Sequence, residues 1–441
     1  MKALQIFTFI CMWLVGGQAL AALPIQHWVM PNGARVYLVE SPAVPMLDVQ
    51  VDLDAGGRRD PAAQAGLASI MASQLKLGVR AQGGQPALDE NALGEAWADL
   101  GASFGAGAGS DRMSFTLRTL TEPDLLQRAV ALAARLMGEP AFDPQVWTRE
   151  RERISAAIRE ANTRPATQAN RAFEKAVYAE HPYGFDTTEA TLQRIAVEDL
   201  HNFHAQMVRA CRARVTLVGA VSRAQAEQLV QGLLARVPQE GCSPLPEIAQ
   251  VQPLQGPSVQ RIAFDSAQAH VLIGQPGFVR QDPDYFALIV GNYILGGGGF
   301  VSRLTHEVRE KRGLSYSVYS GFSPGLHAGA FTLGLQTRPD QAELAIKVSQ
   351  DVLRQFVKEG PTEVELQAAK SNLVGGFALR LDTNRKLLDN VASLAWNDLP
   401  LNYLDTWTQQ VQRVTRADIR KAFQRVLQPE RMVTVVVGGK P

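Results

Sequence analysis

The sequence contains little cysteine and no excess of charge of either sign. Its 441 residues include three cysteines, and 44 lysine and arginine residues balance 43 aspartate and glutamate residues. Nucleic-acid-binding surfaces need clustered positive charge, and the chain has no basic run, so we expect no nucleic-acid partner. Three cysteines are too few to form the disulfide framework of a fold of this size, which must therefore depend on an apolar core.

Long apolar runs are also scarce, and the one at the start has the pattern of a secretory signal peptide at positions 1–21. Lys2 precedes an apolar run at 4–15, which is followed by the small-residue sequence Ala-Leu-Ala at 19–21. This run is shorter than the ~20 residues that a bilayer span needs, so we predict cleavage after Ala21, with a retained anchor as the alternative. No later stretch is long and apolar enough to cross a membrane. The sequence therefore predicts a periplasmic protein without a membrane partner.

Two cysteines remain in the expected mature protein, because cleavage removes Cys11 and leaves Cys211 and Cys242. An oxidising compartment outside the cytoplasm allows two such cysteines to pair. The sequence fits both a local disulfide between them and two free thiols.

The two halves of the chain repeat one another. The segment SFTLRTLTEPD at 114–124 matches AFTLGLQTRPD at 330–340. The segment at 192–221 resembles the segment at 411–440, and the shift between the copies is nearly the same as for the first match. Two matches in one order and at nearly one offset indicate a duplicated architecture.

Each half has the pattern of strands, then helices, then a closing strand. The dipeptide Asn-Gly within 28–40 predicts a hairpin, and apolar residues recur at helical spacing over 124–137 and 343–357. The β-branched runs at 215–218 and 433–437 predict strands. Strands and helices in separate blocks predict an α+β fold: two homologous domains of mainly antiparallel sheet with helices packed on one face.

A linker divides the two halves. Residues 236–257 contain five prolines and two glycines without a clear apolar period, which is typical of a connecting segment. We therefore predict an N-terminal domain at 22–235 and a C-terminal domain at 258–441.

Histidine offers one candidate metal site, and we do not expect it to bind a metal. His201 and His204 are three residues apart on a predicted helix, but no third donor accompanies them. We interpret them as a solvated helix face. His306 is interpreted as a packing or surface residue.

Three segments resemble the pitrilysin-like (M16, inverzincin) metallopeptidases. They are GGRRDPAAQAGLASIMASQLKLG at 56–78, HPYG at 181–184, and LGGGGFVSRLTHEVREKRGLSYSVYSG at 295–321. The resemblance covers nearly the whole mature chain, including its duplication. It implies the duplicated fold of that family.

The resemblance also implies that the zinc site of active members has been lost. In those members two histidines and a water-activating glutamate form the motif H-x-x-E-H. The corresponding positions here hold Ser69, Ala72 and Ser73, and the position of the third ligand, a glutamate, holds Ala157. Glu160 is three residues away and would face another direction on a helix. We therefore expect no metal or other cofactor in this chain.

A second family motif is present. Arg309 and Tyr316 have the spacing of a pair that holds substrate carbonyl oxygens in active members, and the alternative is a surface arginine with a tyrosine in a strand core. The glycine run Gly296, Gly297, Gly298 and Gly299 lies just upstream. No G-K-[ST] sequence follows it, so we interpret it as a loop beside the substrate cleft rather than a phosphate loop.

The resemblance implies a division of labour between two chains. This chain would be the zinc-free subunit of an exported heterodimeric peptidase, inactive alone, and would supply Arg309 and Tyr316 to a zinc-bearing H-x-x-E-H homologue that cleaves unfolded peptides. Two alternatives stay open. One is a structural protein like the core subunits of the respiratory bc1 complex, and the other is a peptide-binding, chaperone-like homodimer.

Overall fold

The computed structural model of the protein describes residues 24–439, so the predicted signal peptide lies outside the described residues. The N-terminal half (residues 24–235) has the strands β1 (Gln26–Val29), β2 (Arg35–Glu40), β3 (Met46–Leu53), β4 (Gly78–Val79), β5 (Leu88–Asp89), β6 (Ser103–Ala108), β7 (Met113–Leu120) and β8 (Arg214–Gly219). Its helices are α1 (Leu67–Gln74), α2 (Glu90–Asp99), α3 (Pro123–Gly138), α4 (Pro144–Asn162), α5 (Pro165–Tyr178), α6 (Glu189–Gln193), α7 (Val197–Met207) and α8 (Arg223–Leu233).

The C-terminal half (residues 258–439) has the strands β9 (Ser258–Ile262), β10 (Ala269–Pro276), β11 (Val318–Phe322), β12 (Ala330–Thr337) and β13 (Val433–Val437). Its α-helices are α9 (Tyr285–Asn292), α10 (Ala342–Glu359), α11 (Glu363–Gly375), α12 (Asn384–Trp396), α13 (Tyr403–Arg413) and α14 (Arg416–Val426). The predicted hairpin, the two predicted helices and the two closing strands are all present. No helix within residues 24–439 has the length and apolar character of a membrane span.

Each half folds around one sheet, and the two sheets share a strand order. The N-terminal sheet has the order β1-β2-β8-β3-β7-β6, and the C-terminal sheet has the corresponding order β9-β13-β10-β12-β11. One neighbouring pair in each sheet is parallel, β2 with β8 and β9 with β13, and the others are antiparallel. The predicted fold of two homologous, mainly antiparallel α+β domains is confirmed.

The repeated Phe-Thr-Leu sequence explains part of this symmetry. Phe115 lies on β7 and Phe331 on β12, the strands at corresponding places in the two sheets. Both phenylalanines are fully buried among the helices of their own half. Because side chains alternate across a strand, this repeat fixes which face of each sheet is apolar toward those helices.

The second face of the C-terminal sheet is covered by a helix from the N-terminal half. On β10, Val271 and Ile273 face the helices of the C-terminal half, whereas Leu272 faces the opposite side. On that side Phe173 and Val177 of α5 pack into a separate apolar cluster with the closing strand β13. The sheet is therefore buried on both faces.

The N-terminal sheet has the reciprocal arrangement. Tyr37 and Val39 of β2 face α12, where they pack with Leu388 and Val391. The helices α5 and α12 begin at Pro165 and Asn384, which matches the shift between the repeated segments, so they are equivalent members of the repeat. The two halves therefore exchange one equivalent helix each, and separating them would expose two apolar surfaces.

A disulfide joins the end of the N-terminal half to the linker. Cys211 lies in the short 3₁₀ turn Ala210–Arg212, just before β8, and is bonded to Cys242. Between α8 and β9 the described chain forms neither helix nor strand. The bond fixes the first part of this irregular segment to the N-terminal sheet.

Candidate functional site

The helix α1, which carries three of the degenerate zinc positions, is firmly anchored. The Asp60 carboxylate accepts hydrogen bonds from the backbone N–H groups of Gly66 at 2.8 Å and Ala68 at 2.9 Å, so it caps the start of the helix,. Burial raises the pKa of Asp60 to about 6. Met71 and Ala72 are fully buried against the sheet side of the helix.

The side chains at the degenerate positions cannot serve as zinc ligands. The Ser69 hydroxyl donates to the Ala108 carbonyl oxygen at 3.2 Å, and the Ser73 hydroxyl donates to the Ile70 carbonyl oxygen at 2.7 Å. Ala72 and Ala157 present only methyl groups. Zinc is bound in proteins by imidazole, thiolate or carboxylate, and this set contains none. The residues present therefore do not fit the metal that the motif holds in active members.

Neighbouring acidic groups do not replace the lost ligands. Glu160 is exposed on α4 and pairs with Arg164, four residues further along the chain. Across residues 24–439, no three histidine, cysteine, aspartate or glutamate side chains are grouped so that they could hold a metal ion.

The structure brings the two residues of the second motif together. The Arg309 guanidinium carbon lies 4.4 Å from the centre of the Tyr316 ring and 4.8 Å from the centre of the Phe300 ring, so the cation is held between two aromatic faces,. Tyr316 is 80% exposed and Phe300 is 69% exposed. The alternative interpretation of Tyr316 as a strand-core residue is therefore wrong.

Local backbone structure explains the pairing. Arg309 lies on the π-helical turn Thr305–Glu310, and the Leu314 N–H donates to the Val308 carbonyl oxygen at 3.0 Å. Val308 and Leu314 are buried, so the chain returns on itself at this point. The Ser315 hydroxyl lies 2.7 Å from two backbone carbonyl oxygens and holds the next segment. These contacts place Tyr316 beside Arg309 without packing either side chain into the core.

The glycine run is helical rather than the predicted loop, because it lies at the end of the π-helical segment Tyr293–Gly297 and the start of the 3₁₀ turn Gly299–Val301. Gly296 is buried against β11, where a Cβ atom would come within 2.4 Å of the Ser320 backbone nitrogen. Gly297 and Gly298 end the π-helical segment, and Gly299 has a φ of +62°, which favours glycine,. The turn then presents Phe300 to solvent. Sequence reasoning missed Phe300, although its place directly after the glycine run was the available signal.

A cleft of about 680 Å³ lies between the two halves. Its lining includes Tyr183 of the HPYG sequence, Tyr178 of α5 and Tyr319 of β11. The Tyr183 hydroxyl donates to the Asp111 carboxylate at 2.5 Å, and burial raises the pKa of Tyr183. Across the junction, the His327 backbone N–H donates to the Tyr183 hydroxyl at 3.2 Å and the Leu326 N–H donates to Asp111 at 3.0 Å, so Tyr183 of the HPYG sequence contacts both halves.

Two buried histidines lie at the same junction. The rings of His181 and His327 meet edge to face, with centres 4.9 Å apart. The His181 Nδ1 atom accepts a hydrogen bond from the Tyr183 backbone N–H at 3.1 Å. Burial lowers the pKa of His181 and of His327. These groups remain neutral near neutral pH because charging them would require burying a cation.

The interpretation of His201 and His204 as a solvated helix face is wrong for His204. His204 is buried, and its Nε2 atom lies 2.7 Å from the Met137 carbonyl oxygen. Only His201 is exposed, and its ring meets Phe142 edge to face at 5.0 Å. His306 lies on the surface, where it contacts Glu310.

This geometry defines a class: a duplicated α+β chain of the metallopeptidase type whose ligand positions hold serine and alanine. Residues 35–191 match the family model described as insulinase (peptidase family M16), and residues 194–373 match the model described as peptidase M16 inactive domain. The chain belongs to peptidase family M16.

Relatives of the chain include members named as inactive. The chain is 24% identical over 419 residues to the "non-peptidase homolog YmxG" of Helicobacter pylori, covering 93% of each chain. It is 34% identical to the M16 inactive domain solved from Pseudomonas fluorescens, with a TM-score of 0.89, covering 95% of this chain and 98% of that one. Together with serine and alanine at the ligand positions, these two relatives support an inactive member of the family.

The fold is also shared with a larger protein. The periplasmic protease PqqL of Escherichia coli is 18% identical, with a TM-score of 0.79. The match covers 94% of this chain but only 45% of PqqL. At this identity the similarity concerns the fold alone.

Proposed function

We propose that the protein is the zinc-free subunit of an exported, heterodimeric M16 peptidase, and that it supplies Arg309 and Tyr316 to a zinc-bearing H-x-x-E-H partner. The observation that carries the proposal is the exposed stack of Phe300, Arg309 and Tyr316. Within the described part of the chain, the Arg309 guanidinium contacts aromatic rings rather than carboxylates. Its N–H groups therefore remain available to a ligand.

The chemistry of amide cleavage suits these two side chains. Attack on a peptide carbonyl places negative charge on its oxygen, and a phenol O–H or a guanidinium aimed at that oxygen stabilises the charge. The metal and the attacking water belong to the partner, because Ser69, Ala72 and Ser73 cannot bind zinc. This chain would hold the carbonyl oxygens of an unfolded peptide and would be inactive alone.

Exposure of the stack also supports peptide binding. Tyr316 and Phe300 bury little surface in the fold, so packing within this chain does not account for their position. An amphipathic ring beside a cation suits an extended peptide, which presents both carbonyl oxygens and apolar side chains. A periplasmic location follows from the sequence pattern at positions 1–21, which is a separate part of the proposal.

The test is turnover of an unstructured peptide by this protein co-expressed with a zinc-bearing M16 homologue. We expect Tyr316→Phe and Arg309→Ala each to lower the rate by ~10²–10³, because each removes one donor to the developing oxyanion. Complex formation, checked by gel filtration, should be unchanged. Arg312→Ala is the matched control, since Arg312 is a nearby exposed arginine paired with Glu307.

A different result would favour one of the alternatives. If Tyr316→Phe leaves the rate of the pair at the wild-type value, the motif has no catalytic use and the structural-protein alternative replaces the proposal. If no zinc-bearing homologue associates with the chain, but the chain alone binds unfolded peptides as a homodimer, the chaperone-like alternative replaces it.

A further inference from the structure

A pocket lined by arginines lies where the linker crosses the N-terminal half. We call it the arginine pocket and define it by the side chains of Arg35, Arg58, Arg59, Arg212 and Arg214, around a volume of about 430 Å³. The disulfide-bonded Cys211 and Cys242 line the wall formed by the linker, together with Ser243, and Trp396 of α12 also lines the pocket. Neither Arg309 nor Tyr316 contributes to it.

Cations outnumber carboxylates in this pocket. Five arginines line it, but only two aspartates do, Asp54 and Asp398. Asp398 is shared by Arg35 at 2.8 Å and Arg214 at 2.9 Å. This carboxylate therefore neutralises only one of the two guanidinium groups that it contacts.

Asp54 is shared in the same way. It contacts Arg58 at 2.5 Å and Arg59 at 2.6 Å. Arg58 is only 7% exposed, and its Nε atom lies 3.3 Å from the Asp111 carboxylate, a contact that forms an ion pair without hydrogen-bond geometry. Asp111 is therefore a third carboxylate in contact with an arginine of the pocket, and the five guanidinium groups still outnumber the three carboxylates.

Arg212 is the fifth cation. It donates to the carbonyl oxygens of Gln206 at 2.7 Å and Ser243 at 2.8 Å, and it forms no ion pair with any residue in the described range 24–439. Burial lowers the pKa of Arg212, and the neighbouring Arg209 lowers it further. The pKa of His327, which follows the lining residue Leu326, is lowered by burial and then by Arg58, while Asp111 opposes the shift.

We propose that the arginine pocket binds an oxyanion ligand of small-molecule size, either a carboxylate such as a peptide C-terminus or a phosphate. Guanidinium groups recognise both in a bidentate manner. The volume is within the range of small-ligand pockets. The disulfide and the hydrogen bond from Arg212 to Ser243 hold the wall in place before the ligand arrives, which lowers the entropic cost of binding.

The test is isothermal titration calorimetry on the intact, oxidised protein with three probes. They are inorganic phosphate, an acidic tripeptide with a free C-terminus, and a tripeptide of the same length that is uncharged because its N-terminus is acetylated and its C-terminus amidated. We expect saturable binding at one site per chain for phosphate, for the acidic tripeptide, or for both, and none for the amidated tripeptide. Phosphate alone would assign a phosphate site, and the acidic tripeptide alone would assign a carboxylate site.

Two substitutions with opposite expected effects identify the pocket. Arg212→Gln removes the cation without a carboxylate partner and should weaken binding about tenfold or more. Its matched control is Arg209→Gln, because Arg209 also donates to a linker carbonyl, that of Glu240, but does not line the pocket. Asp398→Asn should tighten binding, since it frees Arg35 and Arg214. Asparagine also tolerates the φ of +48° at this position,.

The proposal is overturned if neither anion binds the wild-type protein saturably. It is also overturned if Arg212→Gln and Arg209→Gln weaken binding equally, or if Asp398→Asn does not tighten it. Should Arg212→Gln fail to fold, the Asp398→Asn variant still decides the question.

Discussion

The helix α1 and the segment from Thr305 to Tyr316 each carry a family motif position, but they differ in whether the motif side chains are present. On α1 Met71 remains fully buried in the core, while the positions for chemistry hold Ala72, which presents only a methyl group, and Ser69 and Ser73, whose hydroxyls form hydrogen bonds within the chain. In the C-terminal half, Tyr316 is largely exposed and contributes little to the core. Packing therefore explains what remains of α1 but not the position of Tyr316, for which we propose a ligand role in the shared site.

Restoring the lost motif on α1 should cause the largest change in stability among the variants that test this comparison. Ser69→His with Ala72→Glu and Ser73→His places a carboxylate at a fully buried position, because Ala72 is 0% exposed. We expect the free energy of unfolding to fall by about 3–5 kcal/mol, since the charge would lack a partner. Urea unfolding measures this loss, and Ser69→His alone is the control at an exposed position.

The same variant should still bind no stoichiometric zinc, because Ala157 leaves the third ligand missing. Metal analysis of the wild type and of the triple variant checks this. About one tightly held zinc per chain in either protein would show that α1 retains a working site, and the contrast with the Arg309 segment would fail.

Removing the disulfide should give the next largest loss of stability. The disulfide also distinguishes the two halves, because only the N-terminal half has a cysteine in this turn. Cys211 lies in the turn before β8, whereas the equivalent turn before β13, Pro429–Arg431, has Glu430 at that position. The two cysteines are separated by 31 positions in the chain. Replacing Cys211 and Cys242 by serine should lower the free energy of unfolding by about 3–4 kcal/mol on the chain-entropy model.

Urea unfolding of the wild type and the serine double variant measures this difference. Adding a reductant should bring the wild type to the stability of the variant and should leave the variant unchanged. Two free thiols titrating in a non-reduced, denatured sample of the wild type would contradict the prediction.

The duplicated sheets could be predicted from sequence because they depend on local patterns. The Phe-Thr-Leu repeat and the two β-branched closing runs record the alternation that a half-buried strand requires. The exchange of α5 and α12 could not be predicted in the same way. Apolar spacing on a helix specifies that one face is buried, but it does not specify which sheet buries it.

The same difference between local and long-range patterns applies to the candidate site. Arg309 and Tyr316 belong to one short segment, so the family resemblance of that segment was sufficient to predict them as a pair, and the structure places their side chains in contact. The arginine pocket collects Arg35, Arg59 and Arg212 from distant segments, and a sequence with balanced charge does not reveal such a cluster. The burial of His204 was missed for the same reason, because its partner carbonyl, that of Met137, lies on another helix.

The smallest expected effect is a pH dependence located at the junction between the halves. Burial lowers the pKa of His181, and the neighbouring His327 lowers it further. Burial also lowers the pKa of His327, and Arg58 adds to that shift. Asp111 opposes both shifts. The unfolded chain therefore binds more protons than the folded chain as pH falls below the unfolded value of ~6.5.

Stability from these two histidines is thus complete above about pH 7 and is lost progressively as the pH falls through ~6.5 toward their folded pKa values. Burial also lowers the pKa values of His204 and His270, so these residues act in the same direction. Burial raises the pKa of Asp60 to about 6, so Asp60 acts in the opposite direction as the pH falls through that value.

A double variant is therefore needed to isolate the contribution of His181 and His327. In urea unfolding at pH 7.5 and 6, we expect His181→Gln with His327→Gln to lose less stability on acidification than the wild type. The exposed His306→Gln control should match the wild type. Equal losses in all three proteins would place the pH dependence elsewhere and leave the junction insensitive to pH.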